Sequence, residues 1–155
     1  MSRYLDTRDL YKRQQELQGF KDAVENARDE LDQLSVQKPA EDESTLTELE
    51  EWETAMGDAQ AALDDAIAEY GEEEQAELEE LDELESEVSE WMHGETMIPV
   101  DDFEDYAREF ADDIGAIPDE NRWPCTCIDW ERAARELAMD YSTVTFQGTD
   151  YYVRN

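Results

Sequence analysis

Residues 45–92 read TLTELEEWETAMGDAQAALDDAIAEYGEEEQAELEELDELESEVSEWM, and this stretch decides the fold. Its apolar residues recur as Leu49, Trp52, Met56, Ala59, Leu63, Ala66 and Tyr70, alternately three and four apart, the heptad spacing of a helix that buries one stripe. After Tyr70 the stripe resumes eleven positions on as Leu81, Leu84, Val88 and Trp91. An eleven-residue step is a heptad plus four, a stutter that locally unwinds a coiled coil, and Gly71 stands at the break. The spacing predicts helical stretches over 45–70 and 72–92, continuous or bent at Gly71.

Upstream lies a complementary stripe. Leu10, Leu17, Val24 and Leu31 are seven apart, and Phe20, Ala27 and Leu34 fill the second core row, which only Arg13 interrupts. Asp6 or Thr7 can cap the start by accepting from the free N–H groups of the first turn. Ser35 to Ser44, with Pro39 inside, reads as a connecting loop. Two helices joined by a short loop face their stripes only if they run antiparallel, which predicts an αα-hairpin about 40 Å long, a coiled-coil arm over residues 1–94.

Downstream the texture changes. His93-Gly94 closes the long helix with Gly94 as a left-handed cap, and Ile98-Pro99-Val100 is extended. Asp101 or Asp102 caps a helix burying Phe103, Tyr106, Ala107, Phe110, Ala111 and Ile114, stopped by Gly115 and Pro118. A second short helix starts at Asp129 and carries Trp130, Ala133, Ala134, Leu137 and Ala138. Thr143 to Phe146, Gln147-Gly148, then Asp150 to Val153 reads as a β-hairpin with glycine in its turn. The expected fold is therefore mainly α: the helical-hairpin arm, then a small α+β C-terminal domain over 95–155 with two helices and a β-hairpin.

Charge is distributed unevenly over this frame. From Pro39 to Ala107 there is no lysine or arginine, and the stretch holds 27 aspartates and glutamates out of a formal net charge of −33 for the 155 residues. An ordinary solvated helix face mixes signs to gain i,i+4 support, which this one forgoes. Between Glu48 and Glu90 lie 19 carboxylates. Written as helix, their mean axial spacing is about 3.5 Å, close to the roughly 3.4 Å between phosphates of one DNA strand. The candidate surface comprises Glu48, Glu51, Asp58, Asp65 and Glu69, then Glu72, Glu73, Glu74, Glu77, Glu79, Glu80, Asp82, Glu83, Glu85, Glu87 and Glu90. It continues with Asp101, Asp102, Glu104, Asp105, Asp112 and Asp113. A groove charged and shaped for nucleic acid would bind such an array, so the expected activity is competitive occlusion of a DNA-binding protein. Candidate targets are a restriction-modification enzyme, a CRISPR complex, a nucleoid protein or a repair enzyme. Direct nucleic-acid binding is not expected, because no basic stripe is present. The other reading is an acidic coiled-coil interaction or scaffolding protein whose charge only keeps it soluble.

The C-terminal landmarks carry a family resemblance. Phe103-Glu104-Asp105-Tyr106-Ala107, Asp113-Ile114-Gly115, the run Ile128 to Tyr141 and finally Gly148 to Tyr152 fall in the order seen in the C-terminal domain of the ArdA antirestriction proteins, which residues 97–155 resemble. The resemblance implies an acidic, elongated DNA mimic, a homodimer carried by a phage or mobile element, that inhibits type I restriction-modification enzymes in the host cytoplasm. It does not extend to the arm.

Other chemistries find little support. General acid–base catalysis needs a pocket that separates two carboxyl pKa values, which an exposed helical row does not supply, so no enzyme is expected. His93 is the only histidine. With Cys125 and Cys127 it falls short of four zinc ligands and lacks their spacing, and no calcium loop signature occurs, so no cofactor or metal is expected. No run of 18 apolar residues and no signal-peptide core is present, which predicts a cytoplasmic protein without a membrane partner.

Overall fold

The computed structural model describes residues 4–154. The described residues are mostly helical, with α1 Thr7–Ser35, α2 Leu46–Glu69, α3 Glu72–Glu87, α4 Phe103–Asp113 and α5 Trp130–Leu137. Four short strands, β1 Leu5–Asp6, β2 Thr96–Pro99, β3 Tyr141–Phe146 and β4 Thr149–Arg154, form one antiparallel sheet in the order β1-β2-β4-β3. Two compact units divide the chain: Arg13–Glu79, and the residues up to Lys12 together with those from Glu80 onward.

In the unit Arg13–Glu79 the heptad stripes supply the buried Leu17, Val24, Ala59, Leu63 and Ala66, their other members are half-buried, and Gln14 and Leu78 are buried outside the stripes. Val24 packs with Leu63 and Ala66, and Ala27, Leu31 and Tyr70 close over them. Toward the connecting loop, the Trp52 indole donates to the Leu34 carbonyl at 2.6 Å while the Lys38 ammonium lies 5.8 Å from the Trp52 ring. Ile67, one position past Ala66, is 44% exposed. The loop ends in a capping box, in which the Asp42 carboxylate accepts from the Ser44 N–H and Thr45 bonds back to the Asp42 N–H.

Gly71 separates two helices. Tyr70 leaves the helical region at φ −113°, ψ 66°, with its N–H still on the Ala66 carbonyl, and α3 begins with Gln75 N–H on Gly71. The Gln75 amide turns back to cap the Tyr70 carbonyl. The stutter in the stripe thus coincides with a real interruption.

The end of α3 differs from expectation. The helix stops at Glu87 and does not run to residue 92, although Leu81, Leu84, Val88 and Trp91 are all buried as the stripe requires. Ser86 takes the Glu83 carbonyl with its hydroxyl at 2.6 Å, and the β-branched Val88 and Ser89 favour helix poorly. The chain then turns through Glu90, at φ 59°, whose carbonyl accepts from both His93 and Gly94. Gly94, at φ 98°, closes this turn instead of capping a helix.

The sheet unit begins earlier than residue 95. Leu5 and Asp6 pair with Met97 and Thr96, and the fully buried Thr7 locks the same junction: its N–H donates to the Glu95 carbonyl at 3.0 Å and its hydroxyl accepts from the Glu95 N–H at 2.7 Å. Asp6 caps α1 by accepting from the Arg8 N–H, and the Arg8 guanidinium folds back on the same carboxylate, holding it below its ordinary range. Thr7→Val should leave the Glu95 N–H buried without its acceptor, at a cost of about 1–3 kcal/mol. Thermal unfolding by circular dichroism is the check, with about 2–4 °C lost per kcal/mol in a chain of this size.

β2, β4 and β3 frame the aromatic core. Phe103, Ile98, Ala107 and Ala134 are its buried centre, and Tyr4, Tyr106, Tyr141 and Tyr152 pack around them. Phe103 lies edge-on to Tyr152 at 4.5 Å and to Tyr141 at 5.1 Å. Burial and the Tyr106 hydroxyl push the Tyr141 phenol well above its ordinary range. α4 ends in a Schellman motif, Ala116 N–H on Ala111 and Gly115 N–H on Asp112, with Gly115 at φ 73°. Ile114, assigned to the buried face, is 63% exposed because it already belongs to that cap. Asp129 caps α5 through the Arg132 N–H, and Gln147-Gly148 turn between β3 and β4 with φ values of 49° and 77°, the type I′ geometry that matches strand twist.

Candidate functional site

Ten of the 16 residues of α3 are carboxylates, about one per 2.4 Å of helix axis. Leu78, Leu81 and Leu84 form its buried stripe. At 100° per residue the far face carries Glu72, Glu79 and Glu83, flanked by Glu73, Asp82 and Glu87, and all six are exposed. α2 carries a similar row. Glu51, Asp58, Asp65 and Glu69 fall within a narrow sector away from Ala59, Leu63 and Ala66, and all are exposed, as is Glu48. Asp58, Asp65 and Glu69 repeat the seven-then-four spacing of Glu72, Glu79 and Glu83, which sets neighbours about 10.5 and 6 Å apart along each axis.

Three predicted members are drawn inward. Glu74, Glu77 and Glu80 are half-buried. Glu77 is gripped by Arg13 through two parallel bonds, Nε to Oε1 at 2.9 Å and Nη2 to Oε2 at 3.0 Å, while Nη1 reaches Glu16 at 3.0 Å. This bidentate contact explains the charged residue in the heptad row of α1, and the two carboxylates raise the guanidinium pKa further. Glu80 accepts from the Gln147 N–H in the β3–β4 turn. Glu77 and Glu80 are therefore structural, a role their sequence neighbours do not reveal. Glu85 is exposed on α3 and Glu90 is exposed in the turn beyond it.

On the sheet unit Asp101, Glu104, Asp105, Asp112 and Asp113 are exposed and Asp102 is half-buried. Asp102 occupies the N-cap position of α4, yet its side chain makes no capping bond there. Glu95 was not assigned to the surface, and desolvation pushes its carboxyl above the ordinary value of 4.5 while Arg154 partly opposes the rise. A raised folded value means that the folded chain binds the proton more tightly. Glu95 therefore contributes stability when protonated and loses it as pH rises through that value. Melting curves should show Glu95→Gln more stable than wild type at neutral pH, with the difference shrinking as pH falls toward 4.5.

Cys125 is half-buried and Cys127 exposed, both free thiols in one short turn, and His93 lies in the turn after α3. Among the described residues no group of three or more His, Cys, Asp or Glu is placed to hold a metal ion, and no helix is long and apolar enough to cross a membrane. Comparison with known protein families, curated proteins and solved structures finds no match to this chain.

Proposed function

We propose that this protein is a DNA-mimic inhibitor that occupies the DNA-binding groove of a host defence or DNA-processing protein. One observation carries the reading: a stretch without lysine or arginine whose carboxylates stand exposed in rows along α2 and α3, at an axial density comparable to that of DNA phosphates. In this reading α1 and α2 form the antiparallel coiled-coil arm that stiffens the rows, and rigidity matters because a pre-ordered array loses less entropy on docking. The resemblance of residues 97–155 to the ArdA antirestriction proteins points to a type I restriction-modification enzyme as target, to a phage or mobile element as source and to the bacterial cytoplasm as location. No catalysis and no cofactor enters this function.

The test is displacement of labelled duplex DNA from a purified type I restriction-modification enzyme, with a CRISPR complex and a nucleoid protein in parallel. Displacement that weakens as salt rises is expected for at least one of them. The heptad stripes favour a second reading, an acidic scaffolding coiled coil. A chain that displaces DNA from none of the three, even in large excess, would favour that alternative.

A further inference from the structure

The two edges of the sheet are built differently. β1 exposes only Leu5 and Asp6, a short edge bearing a charge. β3 exposes six residues, Tyr-Ser-Thr-Val-Thr-Phe, without a charge, proline or glycine, in a chain of which 37% is charged. Proteins ordinarily guard such an edge with lysine, proline, a bulge or a covering element, because its outward N–H and C=O groups are a template for another strand. Ser142, Thr143 and Thr145 are exposed.

The turn fixes which backbone groups face outward. A two-residue turn closes on a hydrogen-bonded pair, here Phe146 with Thr149, and such pairs alternate along an antiparallel ladder. Val144 with Tyr151 and Ser142 with Val153 are thus bonded across to β4. Tyr141, Thr143 and Thr145 aim their backbone groups away from it. The Tyr141 N–H is taken by the Ala138 carbonyl, while among the described residues Thr143 and Thr145 have no backbone partner outside their own hairpin.

We propose that β3 is a self-association edge on which a second copy of this chain docks its own β3, antiparallel and centred on Thr143. A two-fold axis normal to the sheet keeps each residue on its own face, so facing residues must be of equal parity. Centring on Val144 would oppose groups already bonded to β4, whereas centring on Thr143 brings the outward groups together. Thr143 faces Thr143 with two backbone bonds, and each Thr145 N–H reaches the Tyr141 carbonyl of the other copy. Threonine pairs suit this position, and no like charges face each other. The remainder of each copy is strongly negative, so the two repel, and pairing tightens as salt screens that repulsion. This edge is independent of the acidic rows and of the function proposed for them.

Sedimentation equilibrium of the full chain at low and high salt tests this. Wild type should dimerise, more tightly in high salt. Thr143→Lys, which sets two ammonium groups opposite each other, should weaken association by about tenfold or more while circular dichroism is unchanged. Register is checked by cross-linking in a Cys125→Ser, Cys127→Ser background. With Thr143→Cys the facing Cα atoms lie about 5.5 Å apart, inside the disulfide range, so oxidised glutathione should join the copies by taking up the two thiol electrons. With Thr145→Cys the thiols are four residues out of register, about 14 Å along the strand, and should not join. A wild type that stays monomeric at high salt, a Thr143→Lys variant that folds and associates as tightly as wild type, or equal cross-linking at both positions would overturn the proposal. If Thr143→Lys fails to fold, the cross-linking pair decides alone.

Discussion

Changing Glu72, Glu73, Glu79, Glu83 and Glu87 together to glutamine is expected to weaken occlusion of the target groove by about two orders of magnitude. These five are the exposed glutamates of α3 that form its far-face row, Glu72, Glu79 and Glu83, or flank it, Glu73 and Glu87. Each exposed ionic contact is worth roughly 0–1 kcal/mol, so one neutralisation such as Glu79→Gln is nearly silent. Five together amount to about 3 kcal/mol, where about 1.4 kcal/mol is tenfold in affinity. Helicity should hold, because glutamine is nearly as good a helix former as glutamate. Glu77→Gln is the contrasting control, since it removes the Arg13 fork and should lower the melting temperature while leaving the far-face row unchanged. DNA displacement titrated at two salt concentrations is the readout. A folded fivefold variant that blocks DNA binding as well as wild type at both would sink the mimic reading.

Leu63→Asp and Val24→Asp should each destabilise the unit Arg13–Glu79 by about 3–5 kcal/mol, lowering its melting temperature by about 10 °C or more. Both side chains are under 10% exposed and sit among Ala66, Ala27, Leu31 and Tyr70, while Lys21 and Arg28 stand one turn to either side of Val24 on α1. Asp64 and Asp65 already follow Leu63 on α2, so there the new charge meets repulsion as well as dehydration, which puts Leu63→Asp at the upper end of that range and Val24→Asp at the lower. Ile67→Asp, at an exposed position beside them, should change little. Equal melting curves for wild type and both buried-site variants would mean that the stripe does not hold this unit together.

Much of this was legible because it depends on local chemistry. The eleven-residue step located the interruption at Gly71, Gln147-Gly148 located the type I′ turn, and Asp129 marked its helix by the oxygen it offers to a free N–H. The end of α3 was not legible, because periodicity records which residues are buried and not the backbone that buries them. Val88 and Trp91 keep the period after the chain has left the helix. β1 escaped notice because two residues carry no alternation to read. In the candidate site the carboxylates could be counted from sequence, but their engagement could not. Glu77 and Glu80 have partners 64 and 67 positions away. Arg13 did leave a signal, as the one charge in a core row.

The bond from the Gln147 amide to the Glu80 carboxylate has a use of its own. An N–H at the tip of a solvent-exposed hairpin normally trades its proton for solvent deuterium quickly, because nothing needs to unfold first. This one is held by a residue of α3, so its exchange is governed by how often that carboxylate lets go. In a proton–nitrogen correlation spectrum the Gln147 resonance becomes a single-site gauge of local opening at the third turn of the helix. Glu80→Gln would weaken that hold and speed its loss, while the amides bonded within the β3–β4 ladder keep their wild-type rates.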